Sequence, residues 1–196
     1  MKIATIGTGF IVDTFLESLQ TIPGVECIAM FSRKAETAAA LVQKYQIDLV
    51  YTDMDAMLAN SNVDFVYVAS PNSMHYEHAL KALQCGKNVI CEKPFTSTSK
   101  ETEHLISAAR GKHLMLFEAI TTIHLPNFQF LKENLSRLGK IRIIQCNYSQ
   151  YSSRYNKLLA GETPNIFNPQ FSGGALLDIN IYNLHFVINL FGRPQQ

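Results

Sequence analysis

The first 120 residues alternate short apolar runs with longer amphipathic ones, so the pattern keeps switching between the period of a strand and that of a helix. Runs at residues 2–6, 25–31, 49–51, 63–69, 88–91 and 113–117 predict strands. The stretches 10–21, 34–45, 53–59, 73–85 and 99–110 predict the helices between them. Pro23-Gly24 stops the first helix, Gly86 the fourth and Gly111 the fifth, while the alanines of 34–45 favour helix by propensity. Residues 63–69 are almost continuously apolar, as expected of a strand covered on both faces. Strands alternating with helices through short loops predict an α/β fold, a doubly wound parallel sheet with right-handed crossovers.

The pattern changes near residue 120. A helix is expected over 127–138, ended by Gly139, and then a longer alternating strand over 141–151. In that strand Ile141, Ile143, Gln145, Asn147 and Ser149 fall on one side, and Arg142, Ile144, Cys146 and Tyr148 on the other. A loop of about 20 residues carries Gly161, Pro164, Pro169 and Gly173-Gly174, and a last helix is expected over 175–191. One strand makes no stable sheet by itself. Residues 121–196 therefore read as the beginning of an α+β open-sheet domain, incomplete as it stands, behind a domain over 1–120.

Composition narrows the function classes. The 196 residues are 47% hydrophobic and 17% charged, with a net charge of +1 and scattered Lys and Arg, which argues against a nucleic-acid partner. No apolar run reaches the roughly 20 residues a bilayer requires, so no membrane partner is expected. The apolar start stops at Gly7 and predicts a strand, not an export leader. Cys27, Cys85, Cys91 and Cys146 are dispersed and form no C-x-x-C, which predicts reduced thiols and a cytoplasmic location. No spacing suggests a metal site.

The candidate chemistry starts at Gly7-Thr8-Gly9, directly after the first strand. There the first glycine allows a tight turn, and the second lets a pyrophosphate approach a helix N-terminus formed by Phe10 and Ile11. Val12 occupies the third position of G-x-G-x-x-G, so the fingerprint is incomplete, and a plain glycine turn is the rival reading. The second strand ends in Phe31-Ser32-Arg33-Lys34, without the acid that holds a ribose diol in NAD sites. A hydroxyl and two cations suit a 2′-phosphate, hence NADP with NAD as the alternative; a solvated helix start is the competing account.

The segments Val66-Tyr67-Val68-Ala69-Ser70-Pro71-Asn72-Ser73-Met74-His75 and Gly86-Lys87-Asn88-Val89-Ile90-Cys91-Glu92-Lys93-Pro94, with the later Gly173-Gly174-Ala175-Leu176-Leu177-Asp178-Ile179-Asn180-Ile181-Tyr182, resemble the glucose–fructose oxidoreductase/inositol dehydrogenase (Gfo/Idh/MocA) family. Tyr182, where some members have His, is similar to the dihydrodiol dehydrogenase branch. The resemblance implies a Rossmann domain, hydride transfer to or from a sugar, polyol or dihydrodiol-like small molecule, and a cis Lys93–Pro94 bond. It implies catalytic roles for Lys93, Tyr182 and Asp178. Tyr182 would exchange the proton with the substrate oxygen while Lys93 and Asp178 tune and orient it. Cofactor contacts would come from Gly7, Gly9, Phe10, Ile11, Ser32, Arg33, Lys34, Ser70, Pro71, Asn72, His75, Glu92, Lys93 and Glu118. For Asp178 and Tyr182, four apart on a helix, a structural hydrogen bond is the rival reading; for His75 it is plain exposure. His124 and His185 are alternative acid/bases, and Tyr148, Tyr151, Arg154 and Tyr155 a candidate substrate wall. Two other functions stay open, a non-catalytic NAD(P)-binding regulator and an inactive fragment. Copies of the chain are expected to associate through the second domain.

Overall fold

Six strands form one sheet in the order β3-β2-β1-β4-β5-β6. In chain order they are β1 (Lys2–Ile6), β2 (Glu26–Phe31), β3 (Leu49–Tyr51), β4 (Phe65–Val68), β5 (Asn88–Glu92) and β6 (Leu116–Ala119). This is a computed structural model; it describes residues 1–195, and the chain divides into two compact units, Met1–Glu118 and Ala119–Gln196. The pairings of β1 with β2 and β4, of β2 with β3 and of β4 with β5 are all parallel. This order reverses direction between β1 and β4, the topological switch point at which open α/β sheets take ligands.

The helices of the first unit are α1 (Phe10–Leu19), α2 (Ala35–Tyr45), α3 (Met54–Leu58), α4 (His75–Gln84) and α5 (Ser99–Gly111). All of β4 is buried, as its unbroken apolar run requires. Each such side chain contributes roughly 1.5–3 kcal/mol of transfer free energy. The core continues through Ala4, Ile6, Ala29, Val89 and Cys91, with Ala79, Leu83 and Leu105 from the helices. Thr98 and Glu101 form a reciprocal capping box that starts α5. The sixth strand begins three residues later than the apolar run predicts: His113 takes a left-handed φ of 55°, and the Leu114 amide still closes the end of α5 on the Ala109 carbonyl.

At the amino ends of the strands Lys87 is buried, and its Nζ donates to the Asn60 carbonyl at 2.7 Å and the Val63 carbonyl at 2.9 Å. That ammonium ties the approach to β4 to the start of β5.

The second unit departs from its pattern. It contains α6 (Pro126–Asn134) with proline in its first turn, α7 (Tyr155–Leu159) and α8 (Ile181–Phe191), and no strand among its described residues after Ala119. Residues 141–151, expected as a strand, form no ladder, and Ile143 is 78% exposed. A strand exists only through inter-strand hydrogen bonds, and the unit offers this run no partner. The expected helix over 127–138 finishes as a 3₁₀ turn, Leu135–Leu138, and the expected 20-residue loop contains α7 and two further 3₁₀ turns. The last helix is likewise two pieces, a π-helical turn at Leu176–Asn180 followed by α8.

Candidate active site

Gly7 follows β1 with a φ of +116°, and its amide donates to the Phe31 carbonyl at 3.2 Å. A Cβ on Gly7 would stand 2.5 Å from the Ala69 carbonyl oxygen, where the backbone leaves β4. Only glycine fits between the two strands that define the switch point. Gly9 differs: its φ is an ordinary −78°, and an added Cβ would meet no protein atom within 4 Å. The fold does not need glycine there. Gly9 is the N-cap of α1 and supplies no side-chain cap, so the amides of the first turn, at Phe10 and Ile11, form the positive end of the helix.

At the tip of β2, Ser32 Oγ lies 2.5 Å from Thr37 Oγ1, which itself donates to the Lys34 carbonyl at 2.8 Å. Thr37 has spent its one proton, so Ser32 is the donor in the hydroxyl pair. Arg33 and Lys34 are exposed, and among the described residues no acid is seen in an ion pair with either. Nothing in the sequence reading pointed to Thr37; the cue was a hydroxyl in the first turn after a tip already rich in donors.

At the carboxyl end of β4, Ser70 and Pro71 lead into a 3₁₀ turn, Asn72–Met74, which joins α4. His75, the first residue of α4, is 1% exposed. Its Nδ1 lies 2.8 Å from the Pro94 carbonyl and its Nε2 2.9 Å from the Ser70 carbonyl. Both partners only accept, so each ring nitrogen bonds there only when it carries a proton. Burial pulls the His75 pKa below the ordinary value while the two carbonyls oppose it. His78 approaches the Ser70 hydroxyl at 2.9 Å and is shifted down by burial as well.

At the end of β5 the Glu92 carboxyl turns into the sheet and accepts from the Tyr67 hydroxyl at 2.6 Å, while its other oxygen accepts from the Lys93 amide at 3.2 Å. Burial raises the Glu92 carboxyl above the usual range against the pull of those donors, and pushes the Tyr67 phenol far up. The Tyr67 ring stacks on Phe15 of α1, centroids 3.8 Å apart. This pair escaped the sequence reading, although a tyrosine inside an apolar strand needs a partner for its hydroxyl. The Lys93–Pro94 bond is cis, as the resemblance implies. Glu118, at the end of β6, accepts from the Phe95 amide at 3.1 Å.

The second unit holds the other candidates. Asp178 lies in the π-helical turn, its amide bonded to the Gly174 carbonyl at 2.9 Å, and Tyr182 follows in the first turn of α8. Tyr182 packs edge-on against Tyr148, centroids 5.5 Å apart. An open pocket of about 330 Å³ is lined by Thr121, Thr122, Asn147, Tyr148, Tyr182, Asn183 and Phe186. Of the expected wall, Tyr148 lines it, whereas Tyr151 pairs with Tyr155 elsewhere. Asn147 was not anticipated, since the sequence carries no register for an unpaired run, nor were Thr121 and Thr122 of a 3₁₀ turn and Asn183 of α8. Neither His124, exposed in a 3₁₀ turn, nor His185 on α8 lines the pocket. Gly173 has its own reason: a Cβ there would collide with the backbone of Asn165 and Ile166.

Strand order, glycine turn and helix N-terminus define a Rossmann domain of the dinucleotide-binding class. Residues 1–120 match the family described as "Oxidoreductase family, NAD-binding Rossmann fold", and residues 129–196 match the "GFO/IDH/MocA C-terminal domain". The chain belongs to the Gfo/Idh/MocA oxidoreductase family. It is 42% identical over 195 residues to scyllo-inositol 2-dehydrogenase (NADP(+)) IolU of Bacillus subtilis (strain 168), covering 100% of this chain and 60% of that protein. It is 30% identical over 188 residues to trans-1,2-dihydrobenzene-1,2-diol dehydrogenase of Xenopus laevis, covering 94% of this chain and 54% of the relative. Among solved structures it resembles KijD10, a 3-ketoreductase from Actinomadura kijaniata in complex with NADP and TDP-benzene, with TM-score 0.82 and 27% identity over 98% of this chain and 57% of that one. The chain thus spans 60% and 54% of the lengths of these two curated relatives.

Proposed function

We propose that this chain forms the cofactor-binding and acid/base part of an NADP(H)-dependent oxidoreductase that acts on a carbinol or carbonyl carbon of a sugar, polyol or dihydrodiol-like small molecule. The observation that carries the reading is the carboxyl edge of the sheet, where the glycine turn at the switch point and, two strands along, the Lys93 turn lie on one edge. The residues present fit a dinucleotide. Gly9 is glycine without a folding reason, so a ligand's close approach to the backbone supplies one. The uncapped first turn of α1, at Phe10 and Ile11, suits a pyrophosphate. Ser32, Arg33 and Lys34 would hold a 2′-phosphate by charge-assisted hydrogen bonds, with NAD the alternative cofactor. Relatives named for NADP support the same choice.

The cofactor, when bound, supplies the hydride chemistry. The chain's own residues manage the proton: Tyr182 gives it to, or takes it from, the substrate oxygen, while the Lys93 ammonium favours the deprotonated hydroxyl. Asp178, four residues before Tyr182, orients it, and Ser70, Pro71 and Asn72 form the cofactor side of the β4 turn. A regulator without catalysis needs neither Lys93 nor Tyr182, and the chain has both. Dispersed, unpaired cysteines suit a reducing cytoplasm. A fluorescence titration tests the cofactor half: NADPH should bind more tightly than NADH, and Arg33→Ala should remove most of the difference. Equal affinities in the unmodified chain would sink the phosphate reading.

A further inference from the structure

The Lys93 turn is gripped by side chains at one backbone group on each of three consecutive residues. Glu92 Oε2 accepts from the Lys93 amide at 3.2 Å, His75 Nδ1 meets the Pro94 carbonyl at 2.8 Å, and Glu118 Oε1 accepts from the Phe95 amide at 3.1 Å. The three grips come from three different elements, the end of β5, the start of α4 and the end of β6. The far side of the His75 ring reaches the Ser70 carbonyl at 2.9 Å, so the imidazole spans the exits of β4 and β5. Family resemblance would give His75 and Glu118 cofactor contacts. In this structure Glu118 accepts from the Phe95 amide and both His75 ring nitrogens meet backbone carbonyls, and His75 is too deeply buried to present a ring to any ligand.

We propose that His75 and Glu118 are positioning residues: by holding both polar groups of the Pro94–Phe95 peptide they fix the turn that aims the Lys93 side chain. A peptide held at its carbonyl and its amide has no freedom to rotate about its neighbours' ψ and φ. The residue on its amino side inherits that rigidity. Supports of this kind set catalytic geometry to fractions of an ångström. The proposal rests on the reading of Lys93 as the active-site ammonium, but the clamp itself is observable without any turnover.

The test uses the 196-residue chain with NADPH and three variants, Glu118→Leu, Glu118→Gln and His75→Phe. Amide hydrogen exchange at Phe95, read by NMR, should accelerate about tenfold or more in Glu118→Leu, the loss expected for one hydrogen bond. Amides of β1 and β4 should keep their protection. Glu118→Gln still offers an oxygen to the Phe95 amide and should restore slow exchange, a rescue that a purely packing role would not produce. NADPH affinity should stay within about threefold in every variant, the change expected where no ligand contact is lost. In assays with polyol substrates, kcat should fall in Glu118→Leu and His75→Phe while KM changes little. Unchanged Phe95 exchange in Glu118→Leu would overturn the clamp, and so would NADPH affinity falling in step with kcat. If His75→Phe does not fold, the two Glu118 variants still decide. An unmodified protein that binds NADPH but turns over no polyol would count against the proposed reaction and leave the exchange result standing.

Discussion

The two units of this chain are built from sequence of similar apolar content, yet one satisfies its backbone internally and the other does not. In Met1–Glu118 every predicted strand finds a neighbour in the sheet, and most polar side chains that enter the interior arrive with partners, although the buried Thr5 hydroxyl has none among the described residues. Lys87 meets two carbonyls, Tyr67 meets Glu92, and His75 lies between Ser70 and Pro94. In Ala119–Gln196 the alternating run 141–150 has no ladder, α8 has no buried residue, and Phe130, Leu138, Tyr151 and Leu159 stand in solvent. The lesson is that hydrophobic periodicity specifies which face of an element wants burial, while hydrogen-bond partners decide whether the element exists.

The sharpest way to break this contrast is to make one change in each unit. Gly7→Ala should destabilise the first unit by about 4 kcal/mol, because a positive φ and a collision with the Ala69 carbonyl combine. Thermal unfolding should show it, with NADPH binding lost in parallel. Gly173→Ala meets an equally hard backbone contact, but in the second unit. Its expected effect is faster amide exchange across 165–174, with the melting of the first unit in place. A shared loss of melting temperature would mean that the two units unfold as one.

Next in size is Lys87→Met. The methionine keeps most of the volume but leaves the Asn60 and Val63 carbonyls without their donor, at a cost of roughly 2–4 kcal/mol. Urea denaturation should show a lower midpoint with an unchanged slope. An unchanged midpoint would mean that water replaces the ammonium without penalty. Tyr182→Phe, by contrast, should leave stability alone and lower kcat about 10²–10⁴-fold in a protein that turns over. If activity survives, His185 or His124 becomes the better acid.

Acid sharpens the comparison further, because the buried histidines with lowered pKa belong to the first unit. His75 and His78 have folded-state pKa values below their unfolded value of 6.5, chiefly through burial. The unfolded chain therefore binds more protons, and stability present above pH 6.5 is lost as pH falls through the folded values. Denaturant midpoints at pH 7.5 and 5.5 should differ in that direction, and Ser70 and Pro94 amide neighbours should report it locally. A midpoint that rises towards pH 5.5 would show the two carbonyls outweighing burial, with the ring held as an imidazolium.

How far this was legible in the sequence follows from the same physics. The parallel strands, the Gly7 turn and the Lys93 turn were readable because parallel strands carry continuous apolar runs and sharp turns need glycine or proline. The strand edges at β6 were misplaced because a left-handed His113 is not a residue-type signal. The clamp around Lys93 was invisible because it joins residues from three elements, and His75 read as a helix-start residue, not as a bridge. The π-helical turn at Leu176–Asn180, which carries Asp178, was read as plain helix, since nothing in an apolar run distinguishes the two windings.

The smallest expected effect on stability probes the exposed run itself. Ile143 sits in a pattern that reads as a strand yet is 78% exposed, so Ile143→Ser removes almost no buried surface. Its stability change should fall within about 0.5 kcal/mol, as for an exposed site. The same substitution should matter to association. Apolar side chains alternating along an unladdered backbone offer both hydrogen-bonding groups and contact area to another chain. Light scattering should therefore show the unmodified chain self-associating as concentration rises, and Ile143→Ser should weaken that dependence. Amide exchange across 141–150 should be fast in the dilute chain and slow in the associated one. A concentration-independent monomer with protected amides over 141–150 would refute this account, because the run would then have found its partner within a single chain.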